Sequence, residues 1–166
     1  MRRSNGLEKL SPGEVEAVII ARYGRRTCDE DSDRGTGCGR DITRVHFAAP
    51  SRRSQRCGEF LLQNGYQIVQ EEMVLDEGKY YPMMRVVPFK RKAKREKWDE
   101  TQLRYGKLLL EMRHPILEQY LKREEQLKAE ILEKLDHQRG EHITKRQAEL
   151  KEELVCIRKG LKYYAV

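Results

Sequence analysis

Two groups of side chains have types and spacing that could do chemistry. The first is Cys28, Cys38, His46 and Cys57, four metal-ligand types within one stretch. Zinc would take them tetrahedrally, but the gaps of 10, 8 and 11 residues contain no CxxC or HxxxH pair of the sort that grips a metal from a single turn. No metal site is expected. The second group is the run KRKAKREK at residues 90–97, where Lys90, Arg91, Lys92, Lys94, Arg95 and Lys97 stand against one acid, Glu96, and Trp98 follows. Clustered cations neutralise phosphates and give salt-dependent affinity without sequence preference, and an adjacent indole can stack on a base. These seven residues are therefore RNA-contact candidates. They read equally well as a solvated linker with Trp98 packed under the helix that follows.

The rest of the chain must position them. It has 166 residues, net charge +7, a hydrophobic fraction of 38% and a charged fraction of 37%, enough for one domain plus an extension. Residues 1–89 carry 14 basic and 13 acidic side chains, whereas 90–166 carry 20 and 14. The positive excess thus belongs to the second part. No stretch approaches the ~20 apolar residues that span a bilayer. The start MRRSNGLEKL lacks the apolar centre of a signal peptide, and four unevenly spaced cysteines make no disulfide framework. These features predict a soluble, cytoplasmic chain with no membrane partner.

The run VEAVIIA at 15–21 follows a Ser-Pro-Gly turn signal and is rich in β-branched residues, as in a strand buried on both faces of a parallel sheet. FLLQN at 60–64 reads as a helical turn closed by Gly65. YQIVQEEMVLDEGKYYPMMRVV then gives two apolar-rich runs around Asp76, Glu77 and Gly78, a β-hairpin signal, with Pro82 expected at an edge or bulge. Beyond the basic run the period changes to about 3.6 residues. Asp99 and Gln102 stand in capping-box relation, ahead of Leu103, Leu108 and Leu109. His114-Pro115 restarts the chain. A long helix to about His137 places Leu117, Tyr120, Leu121, Leu127, Ile131 and Leu135 on one stripe. After Gly140, Ile143, Leu150, Leu154, Ile157 and Leu161 fall at steps of 7, 4, 3 and 4, a heptad seam. The short break between these helices predicts an antiparallel helical hairpin. Its interleaved Lys122, Arg123, Lys128, Lys134 and Glu124, Glu130, Glu133 read as a solvated face with i,i+4 pairs.

The segment between Arg22 and Glu59 does not fit this pattern, with nine Arg, no Lys and three of the four cysteines. Three explanations are open: a disordered insertion, a metal site, or translation from another reading frame. Codons compatible with RYGRRTCDEDSDRGTGC, read one base on, permit GMGGARVMKILTEGQDV, and VHFAAPSRRSQRCGE permits FILQPQVAAARDVA. The shifted strings give a Gly-rich turn, a helix, a strand and a second helix, as an alternating β/α fold would. Residues 22–59 as they stand are expected to be irregular and mobile.

Three stretches, SNGLEKLSPGEVEAVIIA, LLQNGYQIVQEEMVLDEGKYYPMMRVV and WDETQLRYGKLLLEMRHPILEQYLKREEQLKAEILEKL, resemble the bacterial tRNA (adenine-22, N1) methyltransferases, which use S-adenosylmethionine. The resemblance implies an α/β fold: a partial Rossmann-type (class I methyltransferase) sheet followed by an α-helical antiparallel coiled-coil tail. It implies a truncated methyltransferase domain at 1–89, a basic linker at 90–97 and a helical domain at 98–166. Residues 15–21 would be the fourth strand and the hairpin the last two. On this template the chain starts beyond the family's cofactor-binding turn. The glycine-rich turn after strand four stands here as Ala21-Arg22-Tyr23-Gly24-Arg25, with Arg22 and Arg25 where glycines permit close approach to ligand. Asn5 and Gly6 would be what remains of the cofactor side; by themselves they read as a turn. The implied partner is tRNA. This polypeptide is expected to bind no cofactor and to have no catalytic residue of its own. The alternative is a non-enzymatic RNA-binding or interaction module that can self-associate through its coiled coil.

Overall fold

A computed structural model of the chain describes residues 17–21, 44–48, 54–63, 65–88 and 97–165. The chain divides into two compact units, Met1–Lys97 and Trp98–Val166.

In the first unit β1 (Ala17–Ala21) and β2 (Arg44–Ala48) pair in parallel, Ala17 opposite Arg44 and Ala21 opposite Ala48. A helix, α1 (Ser54–Gln63), follows and packs on β3 with Leu61 buried. The chain leaves it through Gly65 at φ +82°, a left-handed conformation that costs glycine little. The hairpin is β3 (Tyr66–Asp76) and β4 (Lys79–Pro88), and the strand order is β1-β2-β4-β3. β4 runs antiparallel to both its neighbours. Glu77 and Gly78 both have positive φ, 45° and 73°, the requirement of the type I′ turn whose twist matches that of the strands.

An irregularity between Ile68 and Gln70 shifts the register of β3. It changes which residues face the core. A strict period of 2 would align Gln70 and Glu72 with Ile68, whereas after the bulge Glu71 and Met73 are buried instead, opposite Met84 and Pro82. Pro82 lies one pair beyond Ala48↔Met83, where β2 stops. Pairs flanking a two-residue turn exchange hydrogen bonds and alternate from there, so the missing N–H of Pro82 falls on the side where no described strand needs it.

The expected irregularity across residues 22–59 fails in the second half of that range, where 44–48 form β2 and 54–59 begin α1. RVHFA carries Val45 and Phe47 at a period of 2, and neighbours on both edges satisfy its backbone. Residues 22–43 and 49–53 lie outside the described residues.

The second unit opens with α2 (Glu100–Tyr105). Asp99 Oδ1 accepts from the Gln102 amide at 2.9 Å and Gln102 Oε1 accepts from the Asp99 amide at 3.0 Å, a reciprocal capping box. The single helix expected through Leu109 is interrupted at Gly106, φ +89°, and resumes as α3 (Lys107–Glu111). α3 ends in a Schellman motif: the amide of Arg113 donates to the Leu110 carbonyl and that of His114 to Leu109, both at 3.0 Å. The left-handed residue is Arg113, φ 53°. His114 then caps α4 (Pro115–Asp136), with Pro115 in the first turn, and Gly140 precedes α5 (Glu141–Leu161).

α4 and α5 pack as an antiparallel hairpin, since Arg158 meets Glu125, Lys128 meets Glu153 and Gln147 meets the Leu135 carbonyl. The α5 seam follows the heptad spacing except at its last member, Leu161, which is half-buried. Ile143, Leu150, Leu154 and Ile157 are buried, and Gln147 fills the skipped position. The α4 stripe needs correction at two residues. Leu117 and Leu121 are buried, but Leu127 and Ile131 are each 42% exposed, because Glu124 and Lys128 take the inward positions midway along. At the base of the hairpin Gly160 lets the helices close: a Cβ there would lie 3.2 Å from Leu121 Cδ1 and 3.6 Å from Tyr105. Tyr105 and Tyr120 pack edge to face with centroids 6.5 Å apart. No helix among the described residues is long and apolar enough to cross a membrane.

This packing sets an ordering of costs. Leu150→Ala is expected to destabilise the helical unit by about 2–5 kcal/mol, Asp99→Ala by about 1 kcal/mol, and Val155→Ala, at a site 53% exposed, by less than about 0.5 kcal/mol. Urea unfolding followed by helical circular dichroism gives all three. A Val155 effect as large as that of Leu150 would contradict the seam.

Candidate functional site

Ligands of open α/β sheets bind outside the carboxyl ends of the parallel strands. Here β1 and β2 end level, at the pair Ala21↔Ala48. The residues that leave β1 are Arg22-Tyr23-Gly24-Arg25, and they lie outside the described residues. Beside this edge the hairpin projects further than the sheet. β4 stops pairing with β2 at Met83, yet its pairing with β3 continues through the four pairs from Met73↔Pro82 to Asp76↔Lys79. At ~3.4 Å per residue that is a ribbon reaching roughly 13 Å past the strand ends. It carries the half-buried Tyr80 and Tyr81 and two aliphatic side chains, Val74 and Leu75, each 40% exposed. The wall of a cleft is built of such material, an apolar surface on a rigid backbone.

The candidate residues from the sequence are distributed unevenly. Asn5, Gly6, Cys28, Cys38, Lys90, Arg91, Lys92, Lys94 and Arg95 lie outside the described residues. His46 occupies β2 opposite Ile19 and Arg85, and Cys57 falls within α1. Lys97 is exposed and Trp98 half-buried, directly before the Asp99 cap. Among the described residues no cluster of His, Cys, Asp and Glu could hold a metal ion.

The helical unit holds the perturbed groups, and they argue against chemistry there. Burial pushes the Cys156 thiol up, only partly offset by its hydrogen bond to Thr101 Oγ1 at 3.5 Å, so the reactive thiolate is withheld at neutral pH. Tyr105 is raised, chiefly by burial. Burial works against the charge on Lys128, but Glu124 and Glu153 outweigh it and hold its pKa above the usual value. Burial, with Glu118 nearby, pushes Tyr164 up to about 12, and its hydroxyl donates to the His114 carbonyl at 3.1 Å. These groups hold structure in place. Sequence reasoning missed two features: the left-handed Arg113, signalled only by a helix ending just before His114-Pro115, and the inward Glu124, Lys128 and Glu153, whose spacing matches any solvated pair.

The sequence pattern of the tRNA (adenine(22)-N(1))-methyltransferase family, TrmK, matches residues 1–159. Among solved structures, an uncharacterised protein from Listeria monocytogenes serotype 4b superposes with a TM-score of 0.86 at 18% identity, over 96% of this chain and 69% of that one. A Streptococcus pneumoniae protein assigned to tRNA (m1A22) methylation and solved with S-adenosyl-L-methionine gives 0.78 at 22%, over 96% and 67%. The B. subtilis m1A22 tRNA methyltransferase TrmK gives 0.78 at 20%, over 96% and 69%. At these identities the likeness is one of fold. No curated protein sequence matches the chain.

Tyr164 makes the helical unit sensitive to alkali. Its folded pKa, about 12, lies above the ordinary 10.0, so its contribution is fully present below pH ~10 and is lost as pH rises toward the folded value. Tyr164→Phe is expected to flatten the fall in stability across that window while costing about 1 kcal/mol at neutral pH for the lost hydrogen bond. Urea midpoints at several alkaline pH values measure it. An unchanged alkaline slope would show that the group is not the one titrating.

Proposed function

The chain belongs to the tRNA (adenine(22)-N(1))-methyltransferase family, and from that premise we propose that it is a form of an S-adenosylmethionine-dependent enzyme for N1 of adenine 22 in cytoplasmic tRNA, and that this polypeptide does not turn over by itself. Methyl transfer from a sulfonium to a ring nitrogen needs little acid-base help, since the donor is already electrophilic and the adenine carries a lone pair. The target nitrogen lies on the Watson-Crick edge, so the base must leave its pair and meet the methyl group in line. Catalysis then rests on positioning at the carboxyl edge of the sheet.

One observation carries the proposal of incompetence. Directly after β1, where the family's turn is glycine-rich, this chain has Arg22-Tyr23-Gly24-Arg25. On the family's pattern an Arg replaces glycine at two positions, 22 and 25, and glycine is the residue type that allows backbone to approach a ligand closely. The reading-frame explanation for this segment is part of the same proposal. It is supported by the composition of the segment between Arg22 and Glu59, nine Arg and no Lys, and by the turn, helix and strand patterns of the shifted strings. Two compensating single-base shifts in the coding DNA are the expected finding, and bases that forbid the alternative triplets would remove it.

A second reading, an RNA-binding or helical interaction module, is favoured by the separate core of Trp98–Val166. In it Lys90, Arg91, Lys92, Lys94, Arg95 and Lys97 neutralise phosphates and Trp98 stacks. Self-association through the coiled coil would need α5 to exchange between two copies, because its seam is already covered within one chain.

Calorimetric titration with S-adenosylmethionine is expected to give no saturable heat, and saturable binding would contradict the proposed incompetence. Affinity for tRNA is expected to fall steeply with salt. Replacing the six basic residues of 90–97 by neutral ones should lower the slope of log K against log salt by roughly 0.9 for each phosphate that is no longer neutralised. A flat salt response would exclude the basic run as an RNA-binding element.

A further inference from the structure

We infer that Arg113 is a phosphate contact for tRNA, held in a strained backbone position that the helical unit alone would give to glycine. The inference rests on the tRNA-binding reading above and adds a residue outside the basic run.

The backbone supplies the first argument. Arg113 occupies the left-handed position of the Schellman motif, φ 53°, with its own amide and that of His114 fixed to the Leu110 and Leu109 carbonyls. Glycine adopts this conformation freely and a residue with a Cβ is strained in it. Nothing in the packing of the unit asks for a long side chain there, since Arg113 is exposed.

Charge supplies the second. Neighbouring cations have acids four residues away: Arg104 meets Glu100 at 3.8 Å, Lys107 meets Glu111 at 3.8 Å and Lys122 meets Glu118 at 2.6 Å. At three and four residues from Arg113 stand Leu109, Leu110, Ile116 and Leu117, none of them a counter-ion. Among the described residues Arg113 has no ion pair. Beside it Met112 is 57% exposed, more than any other large hydrophobic side chain described.

Rigidity supplies the third. The His114 carbonyl accepts from the Tyr164 hydroxyl at 3.1 Å and Pro115 fixes the next φ, so the Arg113 Cα is clamped between α3 and α4. A cation whose Cα is already fixed meets a phosphodiester without the cost of ordering its backbone. Strain at an exposed cation, kept where glycine would fit, points to a bound anion.

The test uses the full chain with Arg113→Gly and Arg113→Lys. Arg113→Gly is expected to raise the helical melting temperature by about 4–8 °C and to weaken tRNA binding several-fold, with a salt slope smaller by roughly 0.9. Arg113→Lys keeps the charge and the strain, so it should leave the melting temperature unchanged and retain most of the affinity. A gain in melting temperature with unaltered tRNA affinity and slope would overturn the inference and leave the tRNA reading intact. A lower melting temperature for Arg113→Gly would overturn it by showing a structural role, as would unaltered tRNA binding together with lost binding of an acidic peptide. Failure of the unmodified chain to bind tRNA at all would remove both readings.

Discussion

The first unit depends on one strand being paired on both sides. β4 meets β3 through a two-residue turn, so that contact forms locally, and it meets β2 across a long stretch of chain. The local pairing fixes which face of β4 carries Pro82, Met84 and Val86. The distant pairing then inherits that face, and with it the level at which β1 and β2 present their carboxyl ends. A slip of one residue in the hairpin would turn the buried row outward. Position in the sheet, and hence the placement of any ligand at its edge, follows from the turn at Glu77-Gly78 and the bulge after Ile68.

The helical unit is organised by close approach at one end. Gly160 brings α5 against Leu121 and Tyr105, and the buried Leu109, Leu110, Leu117, Leu154 and Ile157 gather around the same base. Toward the Gly140 end the burial thins to Ile143 and Leu150. Cohesion is therefore graded along the hairpin, strongest beside the α3–α4 junction where Arg113 is held. The buried thiol of Cys156 belongs to this dense end, and its raised pKa is a consequence of packing rather than a sign of reactivity.

Much of this was legible in the residues, for reasons that differ by element. The capping box at Asp99, the Pro115 restart and the tight turn at Gly78 are local, each fixed by two or three side chains. The α5 seam keeps its spacing from Ile143 to Leu161, long enough for periodicity to mark the helix face. The bulge in β3 was not legible, because YQIVQEEMV alternates acceptably in either register and the choice is made by β4. Leu127 and Ile131 looked like core for the same reason: their spacing fits a stripe, and only the partner helix decides which side of α4 is covered. β2 was hidden by arginines on both flanks, although Val45 and Phe47 carry its pattern. At the candidate site, the residues after β1 announced their departure from a glycine-rich turn by type alone. Arg113 carried no such signal, since its significance lies in a dihedral angle.

The inward ionic cluster of Glu124, Lys128 and Glu153 bears on how the two long helices find their alignment. A purely apolar heptad seam looks the same after a slide of seven residues, so leucines alone would tolerate several registers of nearly equal energy. Lys128 pairs with Glu124 on its own helix in every alignment, but Glu153 of the facing helix reaches it in one alignment only. A slide of seven residues would set Arg146 or Gly160 opposite it instead, leaving a half-buried charge without its cross-helix partner. The cluster thus acts as a key: it contributes little cohesion but excludes the displaced pairings that the hydrophobic residues would accept.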